Sequence, residues 1–414
     1  MQQGNARIFI ICFFLLITLF ILSCDSKTAE IWTDRSEVAL YGEFFNTVQN
    51  QYKITVRYVE FPTAQITRQN SPDLIIASWL KNSSTAVTFK SLNNLFGNRK
   101  LARNIFYQRL LAVGRIDRTQ YLLPVSFNIP ALIFSRDRVN ELSSQFTIDF
   151  DEIKKLSRSF NAETRGIYSR MGFSPLWNDR FLLTAAMLSG ASFREADPLA
   201  WDAAALERSM VFISDWTNEI NTGNQAEEDF TFKYFFEPPE RLIHNGRILF
   251  SYIESNELFL LGDDRKNNLD FRWIMEQYRI PVTESTVYLG IPKKAKSAAA
   301  AGAFIQWFFR VETQRTLLEY SIANRINENI FGICGGFSAL SPVTEHVYPL
   351  FYPELLGRMP PSEHFTLPNI LPANWAAMKE RIILPYLNDR AREDNAINAY
   401  PLERRLTDWM RMNR

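Results

Sequence analysis

AEIWTDRSEVALYGEFFNTVQNQYKITVRYVEF (29–61), followed by PDLIIASW (72–79), decides the fold. AEIWT (29–33) reads as a strand, and Ser36 to Asn50 then carries Val38, Tyr41, Phe44, Phe45 and Val48 at helical spacing. KITVRYVEF (53–61) alternates and is rich in β-branched and aromatic residues, whereas PDLIIASW is a short apolar run suited to a buried parallel strand. A strand, helix, strand, strand order with short links predicts an α/β layer architecture.

Outward from this start, the pattern continues in kind. Leu101 to Val113 is expected to be helical, and YLLPVSFN (121–128) and ALIFS (131–135) extend around Pro124 and Pro130. Helices are expected at 149–159, 175–189, 199–220 and about 237–245. RILFSYI (247–253) and FRWIMEQY (271–278) are apolar stretches, and STVYLGIP (285–292) reads as a strand. A long helix is expected over 297–321, then a glycine-rich connection, FGICGGFSAL (331–340), and tail helices near 373–388 and 400–412. GFSPLWND (172–179) opens the greasy helix 175–189: Ser174 caps, Pro175 fits the first turn, and Trp177, Asn178 and Asp179 sit at its mouth.

The 414 residues carry a formal net charge of +1, so no basic face for nucleic acid is implied. Arg7 precedes a fifteen-residue run, Ile8 to Leu22, apolar but for Thr18, and then Ser23 and Cys24. Such a run is shorter than the roughly 20 residues of a spanning helix and fits a secretory leader. ILSC resembles a bacterial lipobox, in which cleavage after residue 23 leaves Cys24 to receive the lipid. The expectation is an exported chain, lipid-anchored to a bacterial membrane and facing the periplasm or exterior. With Cys12 removed and Cys24 acylated, only Cys334 remains, so an intramolecular disulfide is excluded and core size must supply stability.

The stretches EIWTDRSE, SPDLIIASW, YLLPVSFNIPALIFSRDRV, GFSPLWND, NGRILFSYIES and YLGIPKKAKSAAAAGAFIQWFFRVETQRTLLE, taken in order, resemble the carbohydrate-type solute-binding lipoproteins of ABC importers, similar to maltodextrin-binding proteins. The short interval from Glu60 to Ser71 departs from that family, which often has a longer helix there. The resemblance implies a two-lobed, periplasmic-binding-protein-like (type II) α/β fold with a central cleft that closes by hinge motion. It implies a leader over 1–23, a lipidated tether over 24–28, a first lobe from 29–128 plus 283–334 and a second from 129–282 plus 335–414. Crossings are expected near Phe127–Pro130, near Ile280–Val282 and at Gly335–Gly336. It also implies a small solute, foremost a sugar or oligosaccharide, with an ABC permease and its ATPase as partners.

Sugar rings offer an apolar face and a hydroxyl rim, which aromatic planes and amides or carboxylates complement. At the cleft-facing mouth of a buried helix, Trp177 and Asn178 supply both; the plainer reading packs the indole under the surface. Ligands collect at strand carboxyl ends in open α/β sheets, which nominates Trp32, Asp34, Glu37 and Trp79, with Asp34 alternatively a helix cap. Phe127 and Asn128 lie at the first crossing. Tyr252, Glu254 and Ser255 follow an apolar run, Trp273 and Tyr288 flank the second crossing, and Gly335 and Gly336 let backbone approach a ligand.

Other chemistry finds little support. Ser78 to Lys81 matches S-x-x-K without its companion elements. His244, His346 and His364 lack metal-ligand spacing, no phosphate-cradling loop occurs, and no metal or cofactor is expected. An extracytoplasmic carbohydrate-active hydrolase using two distant carboxylates stays open at this point, as does a sensory or structural lipoprotein that keeps the fold.

Overall fold

The computed structural model describes residues 27–67, 69–97, 100–197, 199–392 and 400–412. The leader, Cys24 and the start of the tether lie outside the described residues.

β1 (Thr28–Thr33), α1 (Val38–Val48), β2 (Lys53–Tyr58) and β3 (Leu74–Ser78) follow the predicted rhythm. β1 pairs in parallel with both β2 and β3, and every residue of β3 is buried, as an unbroken apolar run requires. β4 (Leu123–Phe127) crosses through Asn128 and Ile129 into β5 (Pro130–Ser135). The second lobe adds β6 (Thr147–Ile148), α2 (Phe150–Phe160), α3 (Asp179–Leu188), α4 (Ala203–Asn221), α5 (Asn224–Lys233), β7 (Ser251–Glu254) and β8 (Leu269–Ile274). Its four-stranded sheet has the order β7-β5-β8-β6. The chain returns through β9 (Ile280–Pro281) to β10 (Val287–Gly290) and then to β11 (Phe337–Ser338), completing a six-stranded sheet of order β11-β4-β10-β3-β1-β2.

Each lobe has an aromatic core. In the second, Phe181 meets Phe173 (4.8 Å, 71°), Trp216 (6.0 Å, 89°) and Tyr252 (5.9 Å, 77°), all edge-on. That packing buries α3 almost all round, as its sequence predicts. In the first, Phe45 packs edge-on against Phe304 and Trp307.

Three expectations are corrected. The helix expected over 297–321 is two, α6 (Ala298–Phe308) and α7 (Val311–Ala323), broken at Arg310, whose backbone is extended. Phe309, whose N–H still bonds Ile305 O, closes α6 and is buried against Phe106 at 5.0 Å. Helix around 101–113 is confined to Gln108–Val113, after a single 3-10 turn at Arg103–Ile105. Gly335–Gly336 is not a crossing: the chain runs on into β11, which pairs Phe337 with Phe127 and Ser338 with Ser126. The segment beginning at 335 therefore starts in the six-stranded sheet and not in the second lobe. The third connection lies at β12 (Phe365–Thr366), which runs parallel to β9. Beyond it Leu371, Trp375 and helix α8 (Leu384–Ala391) join the second-lobe core.

Candidate functional site

Asn128 stands where the connections meet. Its Nδ2 donates to Gly335 O at 2.9 Å, its Oδ1 accepts from Ser255 Oγ at 2.7 Å, and its backbone O accepts from Thr283 N at 2.9 Å. Ser255, itself fully buried, also accepts from Ile129 N. Both residues are predicted as ligand contacts, yet their side-chain bonds go to each other and to the connecting segments at Ile129 and Gly335. Gly335 and Gly336 serve the same bracket. Gly335 sits at φ +71°, and a Cβ on Gly336 would lie 2.7 Å from Phe127 O, so only glycine lets these chains approach so closely.

The first-lobe wall gathers at the carboxyl ends of β1 and β3. Asp34 Oδ2 accepts from Ser78 N at 3.1 Å, and Arg35 donates to Ser78 Oγ at 2.6 Å. Burial pushes the Asp34 carboxyl above its ordinary value, although Arg35 and Ser78 oppose the shift. Burial likewise raises Glu37, which packs in the first turn leading to α1. Ser78 Oγ also donates to Ser285 O, so the S-x-x-K serine is committed to structure. Trp79 follows with φ +53°, a left-handed conformation for a bulky side chain, and such outliers persist where the surroundings impose them. Its indole Nε1 is buried without a partner.

The second-lobe wall presents Arg180 and Thr184 from α3 and Tyr252 and Glu254 from β7. Tyr252 and Thr184 share a hydroxyl hydrogen bond at 3.0 Å, and Arg180 reaches Glu257 at 2.6 Å and Glu254 at 3.9 Å. Burial, and then the charge of Glu284, raise Glu254 to about 7 against the pull of Arg180. Glu284, between β9 and β10, pairs with Lys379 at 2.6 Å. Ser83 closes the mouth, with its N and Oγ donating across the seam to Glu195 at 2.7 and 3.1 Å. Three cavities of about 160, 40 and 20 Å³ remain along the seam. A larger cavity of about 640 Å³ lies elsewhere, against Leu258–Asp263, and collects none of the predicted site residues.

Of the predicted residues, Trp79 and Tyr288 line one seam cavity and Tyr252 and Glu254 another; Asp34 and Glu37 lie by Arg35 after β1, and Asn128 and Ser255 belong to the bracket. Others are elsewhere. Trp32 and Trp273 are fully buried in their sheets, the latter donating Nε1 to Arg358 O at 2.7 Å, and Phe127 packs among Tyr107, Phe337 and Phe365. Their large apolar surfaces fill cores. Asn178 caps α3, accepting from Arg180 N at 2.9 Å; the helix therefore starts at Asp179 and not at Pro175, and Ser174 caps only a 3-10 turn, Pro175–Trp177. Trp177 stacks on Phe230 at 5.7 Å and opens onto a separate groove of about 450 Å³, lined by second-lobe residues including Gln225, Phe232 and Arg392. The sequence reading missed Arg35, Arg180, Glu284 and Lys379. Arg180, in the first turn after Asn178, was findable from helical position; Lys379 had no local signal.

Neither a protein-family model nor a curated protein matches the chain. Solved structures do. One is an ABC substrate-binding protein from Listeria monocytogenes in complex with cycloalternan, 12% identical with a TM-score of 0.59, covering 92% of this chain and 96% of that one. Another is the cyclic alpha-maltosyl-1,6-maltose binding protein of Arthrobacter globiformis, at 13%, 0.60, 92% and 96%. A third is the GacH receptor of Streptomyces glaucescens, solved unliganded and with acarbose, at 13%, 0.57, 93% and 97%. The fold is that of ABC substrate-binding proteins. In that fold the described residues include no helix long and apolar enough to cross a membrane.

Proposed function

We propose that the chain is an extracytoplasmic receptor that clamps an oligosaccharide between its lobes and delivers it, chemically unchanged, to an ABC permease and its ATPase. The observation that carries this reading is the seam. An indole in a strained conformation, a tyrosine and a set of amphoteric polar groups face one another there, in a fold whose solved counterparts include complexes with cycloalternan and acarbose. Aromatic planes suit sugar faces, and carboxylate, guanidinium and hydroxyl groups suit the rim. Hinging of the two lobes about the three connections admits the ligand, and closure excludes water. The lipobox-like ILSC supports anchoring through Cys24, which Cys24→Ser should abolish, releasing the chain from membranes.

The test is calorimetry and thermal unfolding with malto-, manno- and cyclic oligosaccharides. Stabilisation by ligand without turnover supports a receptor, whereas released product would establish a hydrolase. Trp79→Ala should weaken binding by roughly tenfold or more, about 1.4 kcal/mol for each factor of ten. Trp177→Ala should leave affinity unchanged, because its indole faces another groove. Equal loss in both variants would move the site.

A further inference from the structure

The seam's three cavities, of about 160, 40 and 20 Å³, are each below the roughly 300 Å³ at which small-molecule pockets begin. One side chain lines all three: Glu284. Trp79 and Tyr288 face it from one volume, Tyr252 and Arg180 from the second, and Trp375 from the largest. Lys379, one turn after Trp375, holds Glu284 at 2.6 Å with the two side chains 14% and 9% exposed. Glu284, held by Lys379, is thus the one charged side chain common to the three volumes; Pro368, Asn369 and Leu371 also stand between the first and the largest, and Met187 and Pro281 between the second and the largest.

We propose that the Glu284–Lys379 pair is a partition in the binding chamber, which an entering oligosaccharide displaces. The proposal rests on the receptor reading above. A buried ion pair gains little net energy over its desolvation, so its exchange for sugar hydroxyls, which both donate and accept, is feasible. The two partners are not equivalent. Lys379 keeps a second carboxylate, Glu380, at 3.4 Å, and Glu254 also attracts it. Glu284 sits beside the like charge of Glu254, on a connection between β9 and β10 and not in a regular element. Glu284 is therefore the member that swings away, while Lys379 stays to meet the ligand. The three volumes, the space that the Glu284 side chain vacates and the room gained as the lobes part then form one chamber bounded by Trp79, Tyr288, Tyr252 and Trp375.

Calorimetry of the wild type, Glu284→Ala and Lys379→Ala with the same oligosaccharide panel tests this. Glu284→Ala should bind roughly three- to tenfold tighter, since no pair has to be broken, and Lys379→Ala should bind more weakly. Parallel weakening in both variants would make Glu284 an ordinary ligand contact, and unchanged affinity in both would place the pair outside the chamber; either result overturns the partition. A ligand-free measurement accompanies it: acetylation of Lys379 by a small activated ester, followed by peptide mass, should run at least severalfold faster in Glu284→Ala than in wild type. If no oligosaccharide binds the wild type, the receptor reading falls by itself. The labelling rate still decides the partition, and an equal rate in the two proteins rejects it.

Discussion

Asn128→Ala should lower the unfolding free energy by about 2–5 kcal/mol, read from urea denaturation. The substitution removes two side-chain hydrogen bonds, each worth about 1 kcal/mol net. The loss exceeds that net worth because Gly335 O and the Ser255 hydroxyl are each left short of a partner inside the protein, a penalty of about 1–3 kcal/mol apiece that takes its place. No side chain at position 336 can fill the gap, because a Cβ there would lie 2.7 Å from Phe127 O. A cavity-forming change on an isolated surface would give a smaller effect, so a loss below about 1 kcal/mol would sink the bracket. Ser255→Ala provides the cross-check. It deletes the Oγ that donates to Asn128 and accepts from Ile129 N. The double variant should then lose less than the sum of the singles, because the two residues share one bond. The bracket joins the first crossing, the second crossing and the loop before β11. Its loss should accordingly weaken the fold where the connections between the lobes meet.

Much of the core was legible because its signal is local. Val38, Tyr41 and Phe45 at helical spacing, and the unbroken Leu74–Ala77 run, each specify an element and its buried face without reference to the rest of the chain. Trp79 was legible for the same reason, as the residue that ends a buried parallel strand. The errors arose where one local pattern has two tertiary uses. Trp32 and Trp273 end or flank strands just as Trp79 does, but their neighbours close over them, and only the sheet packing distinguishes the three. Asn178 carries an amide that reads equally as a ligand group and as a helix cap; the free N–H of Arg180 claims it. Gly335 and Gly336 announced a close backbone approach correctly, but the approaching partner is the Phe127–Asn128 crossing. Glu284 and Lys379 are 95 positions apart and neither lies in a recognisable pattern, so nothing short of the folded chain brings them together.

Glu227 gives the stability curve a pH dependence opposite to the usual carboxylate case. The side chain is 2% exposed and lies under α3's approach segment, accepting from Ser174 Oγ and Asn221 Nδ2, both at 2.6 Å. Burial raises its pKa from 4.5 to about 7, more than the Asn221 and Ser174 hydrogen bonds lower it. Between those two values the folded chain holds a proton that the unfolded chain has released, so stability falls as pH rises. The contribution is fully present below about pH 4.5 and is lost through pH 7, a change of up to about 3 kcal/mol at 1.36 kcal/mol per unit. Glutamine keeps the shape and both partners, accepting from Asn221 and donating to Ser174, but carries no charge. Glu227→Gln should therefore match the wild type in urea denaturation at pH 4.5 and exceed it by about 2–3 kcal/mol at pH 8. A difference that does not change with pH would show that Glu227 is ionised in its pocket without strain. Glu254 contributes to the residual slope of the variant: burial raises it as well, and the charge of Glu284 adds to the shift. Its carboxyl lies in the seam beside Glu284, so Glu284→Ala should relieve part of that shift while leaving the Glu227 component untouched. The two sites thus separate a fold-stabilising proton from one that reports on the binding seam.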